Sequence, residues 1–207
     1  RERLAHLIFG YTLDSPELRQ VICARLKRLY DWDVAPDHLV FLPGVVAAFN
    51  TAIRANAQPG GKVLVQTPLY PPMLTAHGGV NQEIVHAPLT PVQQGQRLHY
   101  EIDFDAFEAK IDEHTRSYLM CNPHNPVGRV WTRDELTRLA EICEKHDLLI
   151  ISDEIHSDLI FSEHTHTPIA AIAPEVSKRT ITLMAPSKTY NIPSLGFSFA
   201  VIQDEAL

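Results

Sequence analysis

The chain has 207 residues, with 18 Lys+Arg against 25 Asp+Glu and a formal charge of −7. At 45% hydrophobic and 21% charged residues it can bury one sizeable core, which excludes disorder, collagen and coiled coil. No Lys/Arg-rich block offers a footprint for nucleic acid or an anionic membrane, and the longest aliphatic stretch, residues 148–151, is far too short to span a bilayer.

Ser15 and Pro16, followed by Leu18, Val21, Ile22, Leu26 and Leu29, predict an N-capped helix ending near Trp32. The apolar run 39–42 is broken by Pro43-Gly44, and helical periodicity resumes over 45–57 until Pro59-Gly60-Gly61 stops it. Alternation then predicts a strand at 62–66, a helix at 71–77, a strand at 81–86, a polar loop at 88–97 and a helix at 103–111. A strand at 116–121 follows, then a helix at 132–146 whose Thr132 and Glu135 form a capping box, and a wholly apolar strand at 148–152. Two more strands are expected at 180–184 and 197–202. Strands apolar on both faces and separated by helices predict an α/β fold: three layers, with a mostly parallel sheet and helices on both faces. Three cysteines without CxxC spacing and the lack of an opening signal segment predict reduced thiols and a cytoplasmic location. The start at Arg1 leaves room for an upstream segment.

In open parallel sheets, ligands collect beyond the C-terminal strand ends. There the sequence places Pro43-Gly44-Val45-Val46, Asn122-Pro123-His124-Asn125-Pro126-Val127-Gly128, Ser152-Asp153-Glu154-Ile155-His156 and Ala185-Pro186-Ser187-Lys188. Such a set suits pyridoxal 5′-phosphate. Asp153 can favour the protonated pyridine nitrogen that makes the ring an electron sink, and Lys188 can supply the amine for a Schiff base. Backbone N–H groups of Gly44, Val45 and Val46, with the Ser187 hydroxyl, can receive the phosphate, and Tyr70 can stack on the ring.

Together with Phe9-Gly10-Tyr11, Pro68-Leu69-Tyr70-Pro71-Pro72, Ser157-Asp158-Leu159 and Thr189, these motifs run in order along all 207 residues. They closely resemble the MalY/PatB-type cystathionine beta-lyases, the carbon–sulfur lyase branch of the class I/II aminotransferases with the type I pyridoxal-phosphate fold. The resemblance implies that Lys188 is the Schiff-base lysine, Asp153 partners the pyridine nitrogen, Asn125 donates to the ring O3′ and Tyr70 stacks on the ring. It places His156 where aminotransferases carry an O3′-contacting tyrosine. Tyr11 is implied to reach the phosphate in a neighbouring subunit, so a homodimer with a shared active site is expected. Asn125-Pro126 and Thr67-Pro68 are implied to be cis. Family members are roughly twice as long, so residues 1–207 correspond to the large cofactor domain, without the small domain that grips the substrate carboxylate. Two positions depart from the family pattern: Gly196 stands where many aminotransferases have a phosphate-binding arginine, and Ser194 where the branch has glycine.

The implied reaction is β-elimination from cystathionine or a cysteine S-conjugate, an amino-acid thioether, giving pyruvate, ammonia and a thiol. An aminotransferase is the runner-up, and a cofactor-sensing regulatory domain the alternative of another class. Neither nucleic acid nor membrane is an expected partner. The spacing His164-Thr165-His166 beside Glu163 reads as an exposed loop rather than zinc, so no metal is expected. Cys121 reads as a buried small hydrophobe.

Overall fold

The computed structural model describes residues 13–207. Helix α1 (Pro16–Tyr30) starts where expected, with Pro16 in its first turn, but the Ser15 side chain makes no capping hydrogen bond. It ends two residues early because Asp31 turns into the left-handed region, φ 52°. Strand β1 (Leu39–Leu42) leads through Gly44 into α2 (Val45–Ala55). Then come β2 (Lys62–Thr67), β3 (Glu83–Pro88), β4 (Thr90–Gln94) and β5 (Arg97–Glu101). The chain continues with α3 (Phe104–Glu108), β6 (Thr115–Cys121), α4 (Arg133–Lys145) and β7 (Leu149–Asp153). Last are α5 (Pro174–Lys178), β8 (Thr180–Met184) and β9 (Ser198–Ile202).

Seven strands form one sheet in the order β1-β9-β8-β7-β6-β2-β3. The five from β3 to β8 are mutually parallel, while β9 runs antiparallel to both β8 and β1. Reversing twice makes β1 parallel to the five, so its C-terminal end lies with theirs. On one face α2 buries Val45, Ala48, Phe49, Ala52 and Ile53 against Val65, Leu119, Ile151 and Leu183. On the other, α4 buries Leu136, Leu139, Ala140 and Cys143 against Tyr118, Met120 and Ile150, and α1 places Ile22 and Leu26 with Met184, Phe199 and Val201. Alternate residues of one strand thus feed opposite cores, which is why the strands read as continuous apolar runs. The expected three-layer α/β architecture is the one found. The capping box is present too: the Glu135 N–H donates to Thr132 Oγ1 at 3.2 Å and the Thr132 N–H to Glu135 Oε2 at 2.8 Å.

Three expectations need correction. The helix expected at 103–111 is α3 alone, five residues from Phe104 to Glu108 with Asp103 as its cap. Residues 88–97 are not a loop: β4 and β5 pair antiparallel from Thr90↔Glu101 to Gln94↔Arg97, turning at Gly95 with φ 61°. Both strands lie largely at the surface, so a backbone ladder forms with no apolar alternation to announce it. The stretch around Pro71 is a five-residue 3₁₀ turn, Pro71–Thr75, rather than a longer helix, consistent with two adjacent prolines that lack N–H donors.

Candidate active site

Each expected motif within the described residues sits at a C-terminal strand end. After β1, Gly44 adopts φ 135° and ψ 154°, a conformation that residues with a Cβ rarely take. A Cβ built there meets no atom within 4 Å, so the requirement for glycine lies in the backbone angle and not in crowding. The Gly44 N–H donates to Ser198 Oγ at 3.1 Å, and that hydroxyl donates to the Leu42 carbonyl at 3.1 Å. Ser198, at the start of β9, thus holds the entry to α2. No side chain caps α2, which leaves the Val45 and Val46 amides and the positive end of the helix dipole facing the strand-end crevice. The Val45 side chain is buried and that of Val46 exposed; only their backbone suits an anion. Gly196, φ 57°, packs here as well, the direction of its absent Cβ lying 3.5 Å from the Pro43 carbonyl.

After β2, Leu69 and Met73 are buried anchors and Tyr70 between them remains 36% exposed at the rim. After β6, Asn125 is half-buried, and its N–H reaches Cys121 Sγ at 3.4 Å while that thiol donates to the Pro123 carbonyl at 3.2 Å. Cys121 is indeed buried, and burial raises its pKa; it also shapes the turn that presents Asn125. Thr67-Pro68 and Asn125-Pro126 are cis as expected, and Asn122-Pro123 is cis as well.

At the end of β7, Asp153 is buried and its Oδ1 accepts the Ile155 N–H at 3.1 Å. Burial pushes its pKa up to about 7, the Ile155 N–H opposes this, the Glu154 charge adds to it and the Lys188 charge opposes it. His156 is half-buried, and burial, then the Lys188 charge, lowers its pKa. After β8, Ser187 is half-buried and Lys188 exposed in a turn closed by Tyr190 N–H to Pro186 O (2.9 Å) and Ile192 N–H to Ser187 O (2.9 Å). Lys188, Asp153 and His156 therefore share one electrostatic neighbourhood. Asn125 and His156 line one cleft of about 340 Å³, with Pro126, Leu159 and Phe161 on its walls. Tyr11 lies outside the described residues.

A larger concavity, about 740 Å³, is bordered by Arg116, Asp147 and Arg179 at the opposite, N-terminal strand ends. It is remote from every motif named above, and the parallel-sheet rule places ligands at the other end.

The reading of residues 164–166 as an exposed loop fails at His166, which is buried and pairs through Nε2 with Glu154 Oε2 at 2.8 Å. Glu154 Oε1 accepts from Ser152 Oγ (3.0 Å) and from the Ile169 N–H (3.2 Å). Among the described residues, no group of three His, Cys, Asp or Glu is placed to hold a metal ion. Sequence reasoning assigned no role to Asp158, though it stands inside a quoted motif; its Oδ2 accepts from Thr189 Oγ1 at 2.7 Å and its other oxygen pairs with Arg25 of α1. The same holds for His124. The signal in each case was a polar residue within a motif that the cofactor contacts left unused.

No helix among the described residues is long and apolar enough to cross a membrane, and Cys23, Cys121 and Cys143 are free thiols. Residues 6–207 match the family described as aminotransferase class I and II. The chain is similar to the cystathionine beta-lyase PatB of Bacillus subtilis, at 39% identity over 99% of this chain and 52% of PatB. Among solved structures it is similar to a PLP-bound putative aminotransferase from Clostridium difficile, with TM-score 0.93, 40% identity and coverage of 99% of this chain and 52% of that one. It is also similar to the PLP-bound C–S lyase from Staphylococcus hominis, with TM-score 0.90, 36% identity and coverage of 99% and 52%. The chain spans about half the length of these relatives. On the family match, which covers nearly every residue, the chain belongs to the class I and II aminotransferases.

Proposed function

We propose that residues 1–207 are the pyridoxal 5′-phosphate-binding large domain of a carbon–sulfur lyase that eliminates a thiol from cystathionine or a cysteine S-conjugate, leaving pyruvate and ammonia. The observation that carries the cofactor part of the reading is Asp153, a carboxylate buried at the end of β7 beside β8, which leads into the Lys188 turn, its pKa raised by that burial. Such a group binds a cationic ring N–H strongly, because the partner's charge offsets the burial that disfavours the carboxylate. The uncapped start of α2 and the Ser187 hydroxyl suit a phosphate, Tyr70 at the rim suits a ring face, and the residues present fit the cofactor.

When bound, the cofactor supplies an electron sink for the electrons left at the substrate Cα. Asp153 would keep the pyridine nitrogen protonated, while Asn125 and His156, which line one cleft, would orient the ring through O3′. Lys188 would attach the cofactor and carry the proton at Cα. A neutral His156, favoured by its lowered pKa, can accept or donate a hydrogen bond without adding charge. A thiol, with a pKa of about 8.5, leaves far more readily than hydroxide, so a cysteine-type thioether favours elimination. The homodimer with Tyr11 reaching across, the small domain outside these residues and the cytoplasmic location belong to this proposal.

The similarity to PatB and to a C–S lyase supports the lyase reading. Similarity to a putative aminotransferase at 40% identity supports the second reading, transamination. The test is release of pyruvate and thiol from cystathionine by the complete protein, with and without 2-oxoglutarate. Release without the keto acid is expected; strict dependence on it, with glutamate formed, would establish the aminotransferase instead.

A further inference from the structure

Lys188 sits in an exposed turn, and a lysine on four rotatable bonds is placed only as well as its Cα. Three backbone hydrogen bonds close that turn on itself, Asn191 N–H to the Lys188 carbonyl among them, and a side chain ties it to the rest of the fold: Thr189 Oγ1 donates to Asp158 Oδ2 at 2.7 Å. Asp158 belongs to the segment after β7, two residues beyond His156. That segment is itself held tightly, with the Ser157 N–H on Glu154 O at 3.0 Å and the Leu159 N–H on His156 O at 2.8 Å. The second Asp158 oxygen pairs with Arg25 of α1, which supplies the positive charge a carboxylate only 20% exposed requires. One carboxylate therefore joins three elements: α1, the His156 segment and the lysine turn.

We propose that Asp158 is a positioning residue for Lys188, acting through the Thr189 hydroxyl. This rests on the reading of Lys188 as the cofactor-bearing lysine. A hydroxyl donating to a carboxylate is among the stronger protein hydrogen bonds, and the ion pair to Arg25 fixes the acceptor's direction. The chain of contacts sets the lysine turn relative to His156, so the two side chains that would meet the cofactor from β7 and β8 are aligned by a residue that touches neither the ring nor the substrate.

The test uses the complete, cofactor-loaded protein with Thr189→Val, Thr189→Ser, Asp158→Ala and the double variant T189V/D158A, read by the visible circular dichroism of the bound cofactor, by kcat and KM, and by thermal midpoint. Thr189→Val preserves shape and removes the donor. It is expected to lower kcat by about tenfold and to alter the cofactor's circular dichroism, with KM little changed and the thermal midpoint lowered only by the one lost hydrogen bond. Thr189→Ser should restore both signals, and T189V/D158A should lose no more than D158A alone. Wild-type kcat and dichroism in Thr189→Val, or full additivity in the double variant, would overturn the proposal. Lys188→Ala separates the two levels: an adduct still reducible by borohydride in that variant would overturn the lysine assignment and this proposal together. Loss of the adduct, with Thr189→Val unaffected, would overturn the positioning role alone.

Discussion

His124 Nε2 lies 2.9 Å from the Pro68 carbonyl oxygen. A carbonyl can only accept, so the ring carries its proton on Nε2 and donates. The contact joins the loop after β2, which presents Tyr70, to the loop after β6, which presents Asn125. The ring is 1% exposed and meets Trp131 edge-on at 5.4 Å between centroids.

His124→Ala should therefore remove both the donor to a shielded carbonyl and the packing against Trp131. A loss of about 2–4 kcal/mol is expected, from cavity and hydrogen-bond contributions together, measured as a shift in urea midpoint at constant slope. A change within 0.5 kcal/mol, the ordinary size of a surface substitution, would show that the two loops are held by other contacts.

Asp153 gives a pH test with a definite sign. Its folded pKa, about 7, lies above the ordinary 3.8, so between those values the folded chain holds the proton more tightly than the unfolded chain. Stability from this group is present below about pH 4 and lost as pH rises towards 7, by roughly 4 kcal/mol at most at 1.36 kcal/mol per unit. His124 and His156, both lowered, act with the opposite sign on the acid side of 6.5. The difference between Asp153→Asn and wild type isolates the aspartate: for the cofactor-free chain it should grow in favour of the variant from pH 4 to 7 and then level. A difference that stays flat would remove the case for a raised pKa. In the loaded complete protein the same variant should lose kcat, since an amide cannot stabilise the ring N–H⁺.

Gly44→Ala should cost about 1–3 kcal/mol, the range for a residue forced into a sparsely populated backbone region, although its methyl meets no neighbour. Thermal melts check the cost. Phosphate protection should weaken in parallel, because the same backbone aims the first amides of α2. An unchanged melting temperature would mean that φ 135° is not needed there.

The Glu154–His166 pair is buried on both sides, with side chains 0% and 2% exposed. Removing the ring leaves the buried Glu154 without one hydrogen-bond partner and opens a cavity, which together cost about 2–4 kcal/mol, and His166→Ala should fall in that range. Because His166 lies far along the segment that begins at Glu154, the variant should also raise proteolytic cleavage between residues 155 and 168. Wild-type stability and cleavage would show that the pair is not what holds the segment.

The architecture was legible because parallel strands buried on both faces leave unbroken apolar runs, and α2 and α4 carry apolar stripes at helical spacing. The β4–β5 ribbon was not, since backbone pairing at the surface needs no apolar pattern. The candidate residues Gly44, Asn125, Asp153, His156 and Lys188 were legible as strand-end motifs. Their supports were not: Ser198 is 154 residues from the Gly44 it holds, Pro68 is 56 from His124, and Asp158 is 31 from Thr189.

Local sequence thus determined the strands of the central sheet, the helices packed on it and the residues that stand at the strand ends, because these follow from periodicity and turn chemistry within a few residues; the surface ribbon β4–β5 carries no such pattern. Only the tertiary structure decided the antiparallel placement of β9, the burial that raises Asp153, the pairing of His166 with Glu154 and the tie from Asp158 to the lysine turn. Burial, desolvation and contacts between distant residues exist only once the chain has closed on itself, and no window of sequence contains them.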